Sequence, residues 1–234
     1  MLQTLLAGRE SSKSPTHHPF RRECCDSTEN PPLTIDQLLM PLSFSIGKPP
    51  KNPLLDTEPG WSQVPGYGDS MAHTLRAIGI GLILAALLAL TWRFLVTDGL
   101  PLEASPALSS IFLVFLIATV VHEIFHLAVF PSFGLKHGVV GVWPQMGAIY
   151  VQYLLPVTRG RFIAATLSPV IAISAFPLVL GLTGFQVPAF IQWATIVNAV
   201  AAGADLLAVT VLLRETAARD LVLDSNHALF RHEA

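Results

Sequence analysis

The sequence predicts an all-α membrane protein. It should have about four transmembrane helices, a short β-hairpin between the second and third, and a disordered N-terminal tail. Three observations carry that expectation. Of the 234 residues, 52% are hydrophobic and 13% charged, and the mean hydropathy is +0.55. This balance belongs to integral membrane proteins rather than to domains folded in water. Four apolar runs beyond Met71 are each long enough to cross ~30 Å of hydrocarbon. Polar residues gather elsewhere: before Met71, in the stretch after the second run, and after Leu213. A net charge of −2 gives no electrostatic case for nucleic acid as a partner.

Residues 1–70 carry proline, serine and charge, as in Ser-Ser-Lys-Ser-Pro-Thr-His-His-Pro and Gly-Lys-Pro-Pro-Lys-Asn-Pro. No apolar period persists there, so the expectation is disorder. Leu2 to Leu6 is too short for a signal peptide. Met71 leads straight into the first membrane helix, which suggests that the natural start lies there and that 71–234 is the membrane domain. The adjacent pair Cys24 and Cys25 forms neither a disulfide framework nor a C-x-x-C metal pair. Any metal must then be held by histidine and carboxylate.

The first helix runs from about Leu75 to Val96, bounded by Arg76 and Arg93, with Trp92 suited to an interface. After the turn Thr97-Asp98-Gly99, the second helix runs from Pro106 to Phe130. Proline at a helix start loses nothing, because its missing N–H has no partner there. Val139–Trp143 and Ala148–Val151 read as β segments around Pro144-Gln145-Met146-Gly147. Such a hairpin can dip beside a membrane site, and its edge can pair with an extended substrate. The third helix, Gly160 to Leu182, contains Pro169 and Pro177 and should kink. The fourth runs from Pro188 to Leu213, and a charged cytosolic tail follows. Arg76, Lys136, Arg159, Arg161, Arg214 and Arg219 flank the ends that share one side. The positive-inside rule therefore puts both termini in the cytoplasm, and the expected location is the bacterial cytoplasmic membrane.

The second helix holds the chemistry. Its only ionisable residues are His122, Glu123 and His126, an H-E-x-x-H motif. Such groups are costly in hydrocarbon and point to function. Residues four apart share a helix face, so both imidazoles can grip one Zn²⁺ at roughly 2.0–2.1 Å. Glu123 is then placed to activate water as a general base. A catalytic zinc wants a third protein ligand. Asp205 is the sole acidic residue between Glu123 and Arg214, and it lies mid-helix in the fourth run. His122 and Asp205 each lie eight residues before their helix ends at Phe130 and Leu213, about 12 Å from them. Asn198 lies two turns from Asp205, where its amide can meet a substrate carbonyl or oxyanion or hydrogen-bond a neighbouring helix. Ala201 to Ala204 let the second helix approach closely. His137 reads as a loop histidine.

His122-Glu-Ile-Phe-His126, the hairpin segment Gly147-Ala-Ile-Tyr150, Arg159 through Ser168-Pro169, and Asn198…Gly203-Ala-Asp205 together resemble the DUF3267 zincin-peptidase family. That family is related in outline to the site-2 (M50) intramembrane metalloproteases. The resemblance covers about 71–225. It implies that His122, His126 and Asp205 hold zinc, that Glu123 is the general base, and that the substrate is a membrane-embedded or juxtamembrane peptide. Phe125 stands where a small residue is usual, and the Asn-Pro-Asp-Gly motif of site-2 proteases is absent, so proteolysis follows by analogy. The alternative is a non-catalytic membrane zinc-binding or assembly protein. A metal-free polar network in a transporter or assembly factor is a further rival.

Overall fold

The computed structural model describes residues 41–68, 70–96 and 108–233. Within them, four helices are long and apolar enough to cross a membrane: Met71–Val96, Phe112–Val129, Arg159–Leu182 and Ala189–Glu215. In chain order the elements are β1 (Ser43–Ile46), a single helical turn at Leu54–Thr57, β2 (Trp61–Gln63) and α1 (Met71–Thr91). A π-helical turn, Trp92–Val96, extends α1. Next come α2 (Leu108–Val129), β3 (Gly138–Trp143), β4 (Ala148–Tyr153), β5 (Val157–Thr158) and α3 (Arg159–Pro169). A second π-helical stretch, Val170–Ala175, joins α3 to α4 (Phe176–Leu182). The described chain ends with α5 (Ala189–Glu215), β6 (Leu221–Ser225) and β7 (Ala228–His232).

Local chemistry explains the helix boundaries. Ser70 caps α1, its hydroxyl accepting from His73 N–H at 3.1 Å. Thr158 caps α3 in the same way. The Arg161 Nε–H donates to the carbonyl of Val129 at 3.1 Å, satisfying one of the orphan carbonyls at the end of α2. The Arg159 guanidinium donates to Thr216 O at 2.6 Å. The second and fourth spans are thus tied to the start of the third at one level. Pro169 and Pro177 bracket the Val170–Ala175 stretch. The kink expected from the two prolines is realised as a wide π turn between two α segments.

The expectation of an all-α chain is corrected by two sheets. One has three strands in the order β1-β3-β4; the other has four in the order β2-β7-β6-β5. The expected hairpin is present as β3 and β4, paired antiparallel from Gly138↔Tyr153 to Trp143↔Ala148. Two further corrections follow. The disorder expected through residue 70 does not hold for 41–68, which supplies β1 and β2; residues 1–40, including His17, His18, Cys24 and Cys25, lie outside the described residues. A fold beginning at Met71 is also corrected. Asn52 is fully buried, its N–H donating to Ser225 Oγ at 2.8 Å and its amide to Leu154 O at 2.7 Å. Val64 sits in a core with Ala208, Leu212, Val222 and Leu229. The charged tail likewise forms the hairpin β6–β7. These strands are too short to show a period in sequence, and their order comes from partners far along the chain.

The small residues of α5 serve a different neighbour from the one expected. A side chain at Gly203 would run into the Ala77 carbonyl and the Gly81 backbone of α1, and one at Gly81 would meet Val200 of α5. Ala77, Gly81 and Ala85 recur every four residues and are all buried, a small-x-x-x-small face that lets two membrane helices touch backbone to backbone. Gly203→Val should therefore splay α1 from α5 and destabilise the bundle by about 1–3 kcal/mol, read as a lowered thermal midpoint in detergent. A pH effect is expected from the four-stranded sheet. Burial pushes the Asp224 carboxyl up to about 7, against the opposing hydrogen bond from Ser225 N–H. A raised carboxyl pKa favours the folded state at low pH, and this stability is lost as pH rises from about 4 through about 7. Melting at pH 5 and pH 8 should show that loss in the wild type and a smaller one in Asp224→Asn.

Candidate metal centre

His122, Glu123 and His126 sit on the last two turns of α2, one turn apart as the spacing requires. The imidazole rings of His122 and His126 are 4.6 Å apart between centroids and nearly perpendicular, at 85°. Their Nε2 atoms approach to 3.0 Å. Asp205, from α5, meets both: Oδ2 lies 3.1 Å from His122 Nε2 and Oδ1 lies 3.4 Å from His126 Nε2. Glu123 also brings a carboxylate oxygen within 4.8 Å of donor atoms on both histidines, and its carboxylate accepts the backbone N–H of Val151 in β4. Two helices distant in sequence thus bring four side chains together in an apolar bundle. His137 is not among them.

Both tautomers follow from the partners. His126 Nδ1 lies 2.9 Å from the carbonyl of Ala165. A carbonyl only accepts, so this nitrogen carries the proton. His122 Nδ1 lies 2.8 Å from Asn198 Oδ1. The other side of that amide, Nδ2, donates to Pro169 O at 3.3 Å and Ser174 Oγ at 2.9 Å. The amide orientation is thereby set, and His122 Nδ1 also donates. In the neutral rings each Nε2 then turns its lone pair inward. The two Nε2 atoms lie 3.0 Å apart, and Asp205 Oδ2 lies 3.1 Å from that of His122, so the three form a compact set of ligand atoms. The donor set fits a divalent cation that favours imidazole and carboxylate, the chemistry of zinc sites. A ring N–H tied to a second partner is also the usual arrangement of a metal-binding histidine.

Of the two roles open to Asn198, substrate or oxyanion contact and a helix–helix hydrogen bond, the second is the one seen: its side chain is 2% exposed and its amide oxygen meets His122 Nδ1. Ser174 and Thr195, which sequence reasoning missed, hold it there. Ser174 Oγ accepts from Asn198 and donates to Thr195 O at 3.1 Å, and Thr195 Oγ1 accepts from the Trp92 indole at 2.8 Å. The π turn that carries Ser174 leaves no mark in the sequence beyond its flanking prolines. Ser168 donates to the carbonyls of Phe125 and Ala165 at 2.8 and 2.7 Å.

The fold and site define a class: a membrane helix bundle carrying a zincin-type His-Glu-x-x-His group. Residues 115–218, which include His122, Glu123, His126, Asn198 and Asp205, match the family DUF3267, described as Putative zincin peptidase. A zincin implies zinc, and the His122-Glu123-His126 group can hold a metal. No curated protein and no solved structure gives a significant match to the chain.

The hydrogen bond from His122 to Asn198 leads to a prediction. Asn198→Ala removes a partner that orients a metal-binding ring, and such losses cost roughly 10–100-fold in metal affinity. Zinc retention against a competing chelator should fall by that factor. Ser174→Ala, which leaves the amide its Pro169 contact, should cost less.

Proposed function

We propose that this protein is an intramembrane zinc metallopeptidase of the site-2-protease type, with His122, His126 and Asp205 as the zinc ligands and Glu123 as the general base. The observation that carries this reading is the convergence of two Nε2 atoms, each on a ring tied through Nδ1 to an acceptor, on the Asp205 carboxylate. Between the two carboxylates, contact favours this division of roles. Asp205 touches both imidazoles, whereas Glu123 precedes Ile124 on a neighbouring face and is held from the side by Val151 N–H. Zinc bound there supplies a Lewis acid that lowers the pKa of water and polarises a peptide carbonyl.

The chain's own groups do the rest. His122 and His126 hold the neutral, Nδ1-protonated form through Asn198 and Ala165, so neither competes for the proton of the attacking water. Glu123 takes that proton as the water oxygen bonds to the scissile carbon, then passes it to the amide nitrogen as the C–N bond breaks. β4 is an outer strand of its sheet, and it passes Glu123 at Val151. An unwound substrate segment laid along that edge brings its carbonyl beside the two imidazoles. The substrate class is then a membrane-embedded or juxtamembrane peptide. Arg159, Arg161 and Lys136 near the site support an orientation with both termini in the cytoplasm.

Purified protein in detergent should carry about one zinc per chain, as a three-ligand catalytic site requires. Elemental analysis should show it lost in His126→Ala and Asp205→Ala and kept in Glu123→Gln. Newly formed peptide termini in membrane fractions, mapped by mass spectrometry, should drop by roughly 10²–10⁴-fold in Glu123→Gln cells. A Glu123→Gln protein that binds zinc and leaves those termini unchanged would favour a non-catalytic zinc-binding or assembly role. A folded wild type without zinc would sink both.

A further inference from the structure

The three-stranded sheet is inside out for a sheet in water. Cross-strand partners share a face. The register puts Phe44, Val140 and Val151 in one row and Ile46, Val142 and Ile149 in the next. All six are apolar. The other face carries Ser43 and Ser45 beside Tyr150 and Gln152. Yet this more polar face is the packed one. Val139 meets Leu154 and Leu54, and the buried Gln152 donates to Pro50 O at 3.1 Å and Asp224 O at 2.9 Å. The apolar face is open along β1, while Val140, Val142, Ile149 and Val151 are half-buried. Phe44 is 64% and Ile46 68% exposed. None of the six residues joins a buried cluster among the described residues.

Two observations say what meets that face. Val151 N–H on the Glu123 carboxylate sets β4 beside a residue six positions before α2 ends at Val129, about 9 Å along the helix axis. The sheet therefore begins at a depth the helix places within the membrane. Exposed apolar side chains also lie on either side of the junction between α2 and the sheet: Ile124 on α2, Phe133 and Leu135 in the connection after it, and Leu42, Phe44 and Ile46 at β1. The Leu42 N–H bonds to Leu135 O at 2.8 Å, joining the two sides. A patch adjoining the belt of a membrane helix takes the same solvent.

We propose that the apolar face of the β1-β3-β4 sheet lies against the bilayer that holds the helices, with Phe44 and Ile46 as its lipid contacts. Lipid is the occupant, and the depth is graded. β4 runs beside α2, so its outer edge faces the helices and the candidate site rather than lipid. β1 is the opposite outer strand, and its unpaired edge must keep contact with water or headgroups, because an open sheet edge is not sustained in hydrocarbon. β1 therefore sits at the boundary between headgroups and acyl chains. There Phe44 and Ile46 point into the chains while the backbone edge stays wet. The proposal rests on the membrane setting of the helices and not on the peptidase reading; a protein with no proteolytic activity would still show it.

Depth-dependent quenching tests it. On a background in which Cys24 and Cys25 are serine, F44C, I46C and K51C are each labelled with a nitrobenzoxadiazole probe. Each is reconstituted in vesicles of phosphatidylcholine and phosphatidylglycerol. Lys51 is the aqueous reference, with half its side chain exposed. Lipid brominated on the acyl chain should quench the probes at 44 and 46 several-fold more than the probe at 51, and iodide added on both sides should reverse that order. Iodide quenching at 44 and 46 equal to that at 51 overturns the proposal, because the face is then in water. Protection from both quenchers also overturns it, giving the face to another segment of the chain or to protein. The two positions lie in different rows and are read independently, so failure of one variant to fold leaves the other decisive.

Discussion

Two imidazole lone pairs held 3.0 Å apart against a carboxylate are the constraint around which the bundle is arranged. Electron-rich atoms do not crowd together in a medium of low dielectric unless something positive holds them or the scaffold leaves them no alternative. Here the scaffold acts through the opposite ring nitrogens. Ala165 offers a carbonyl from α3 and Asn198 an amide oxygen from α5. Each favours a proton on Nδ1, which in the neutral ring leaves Nε2 its lone pair. The proton count of the centre is thus set one bond away from it, by groups that never face the centre. The wide turn at Val170–Ala175 belongs to the same arrangement, since Pro169 O and Ser174 Oγ take the amide's two donations and keep its oxygen on His122.

The bundle leaves few polar groups without an answer, and those that are buried form chains. Trp92, Thr195, Ser174, Asn198 and His122 link all four spans through side-chain and carbonyl contacts. In hydrocarbon each of these hydrogen bonds replaces an unmet group rather than a hydrated one, which makes the network specify the packing more than strengthen it. Close approach of α1 and α5 through Gly81 and Gly203 is what lets Trp92 reach Thr195 at all.

Much of this was legible before any coordinates. Long apolar runs are read almost directly, because the bilayer imposes their length. The spans end within a few residues of the expected places, and the hairpin after α2 falls where turn residues put it. His122, Glu123, His126 and Asp205 stood out because ionisable groups in such runs are rare. What escaped was non-local or backbone-borne. β1 and β2 are three or four residues long and carry no period; they exist because β3 and β7 offer edges to pair with. Spacing leaves Asn198 both a substrate contact and a helix–helix hydrogen bond, because it gives a face but not the neighbour on it. Its true partners are a histidine on another helix and a serine on a π turn. The small-residue face of α1 was visible as Ala77, Gly81 and Ala85, and went unused because attention lay on the second helix.

The four-stranded sheet joins β2 to β7, strands that flank all four membrane spans. That pairing carries a consequence for how the molecule is made. No part of the sheet beyond the β6–β7 hairpin can close until every span has been inserted and the last has returned to the same side as the first. Contacts of such long range are slow to form. During synthesis, β2 must wait as an open edge while the helices enter the bilayer one after another. The sheet acts as a latch on the finished topology: a chain that inserts with one span missing or inverted delivers β7 to the wrong side, and its four-stranded sheet stays unzipped. Such a chain would expose Val64 and its partners Leu212, Val222 and Leu229, an apolar surface of the kind quality-control machinery recognises.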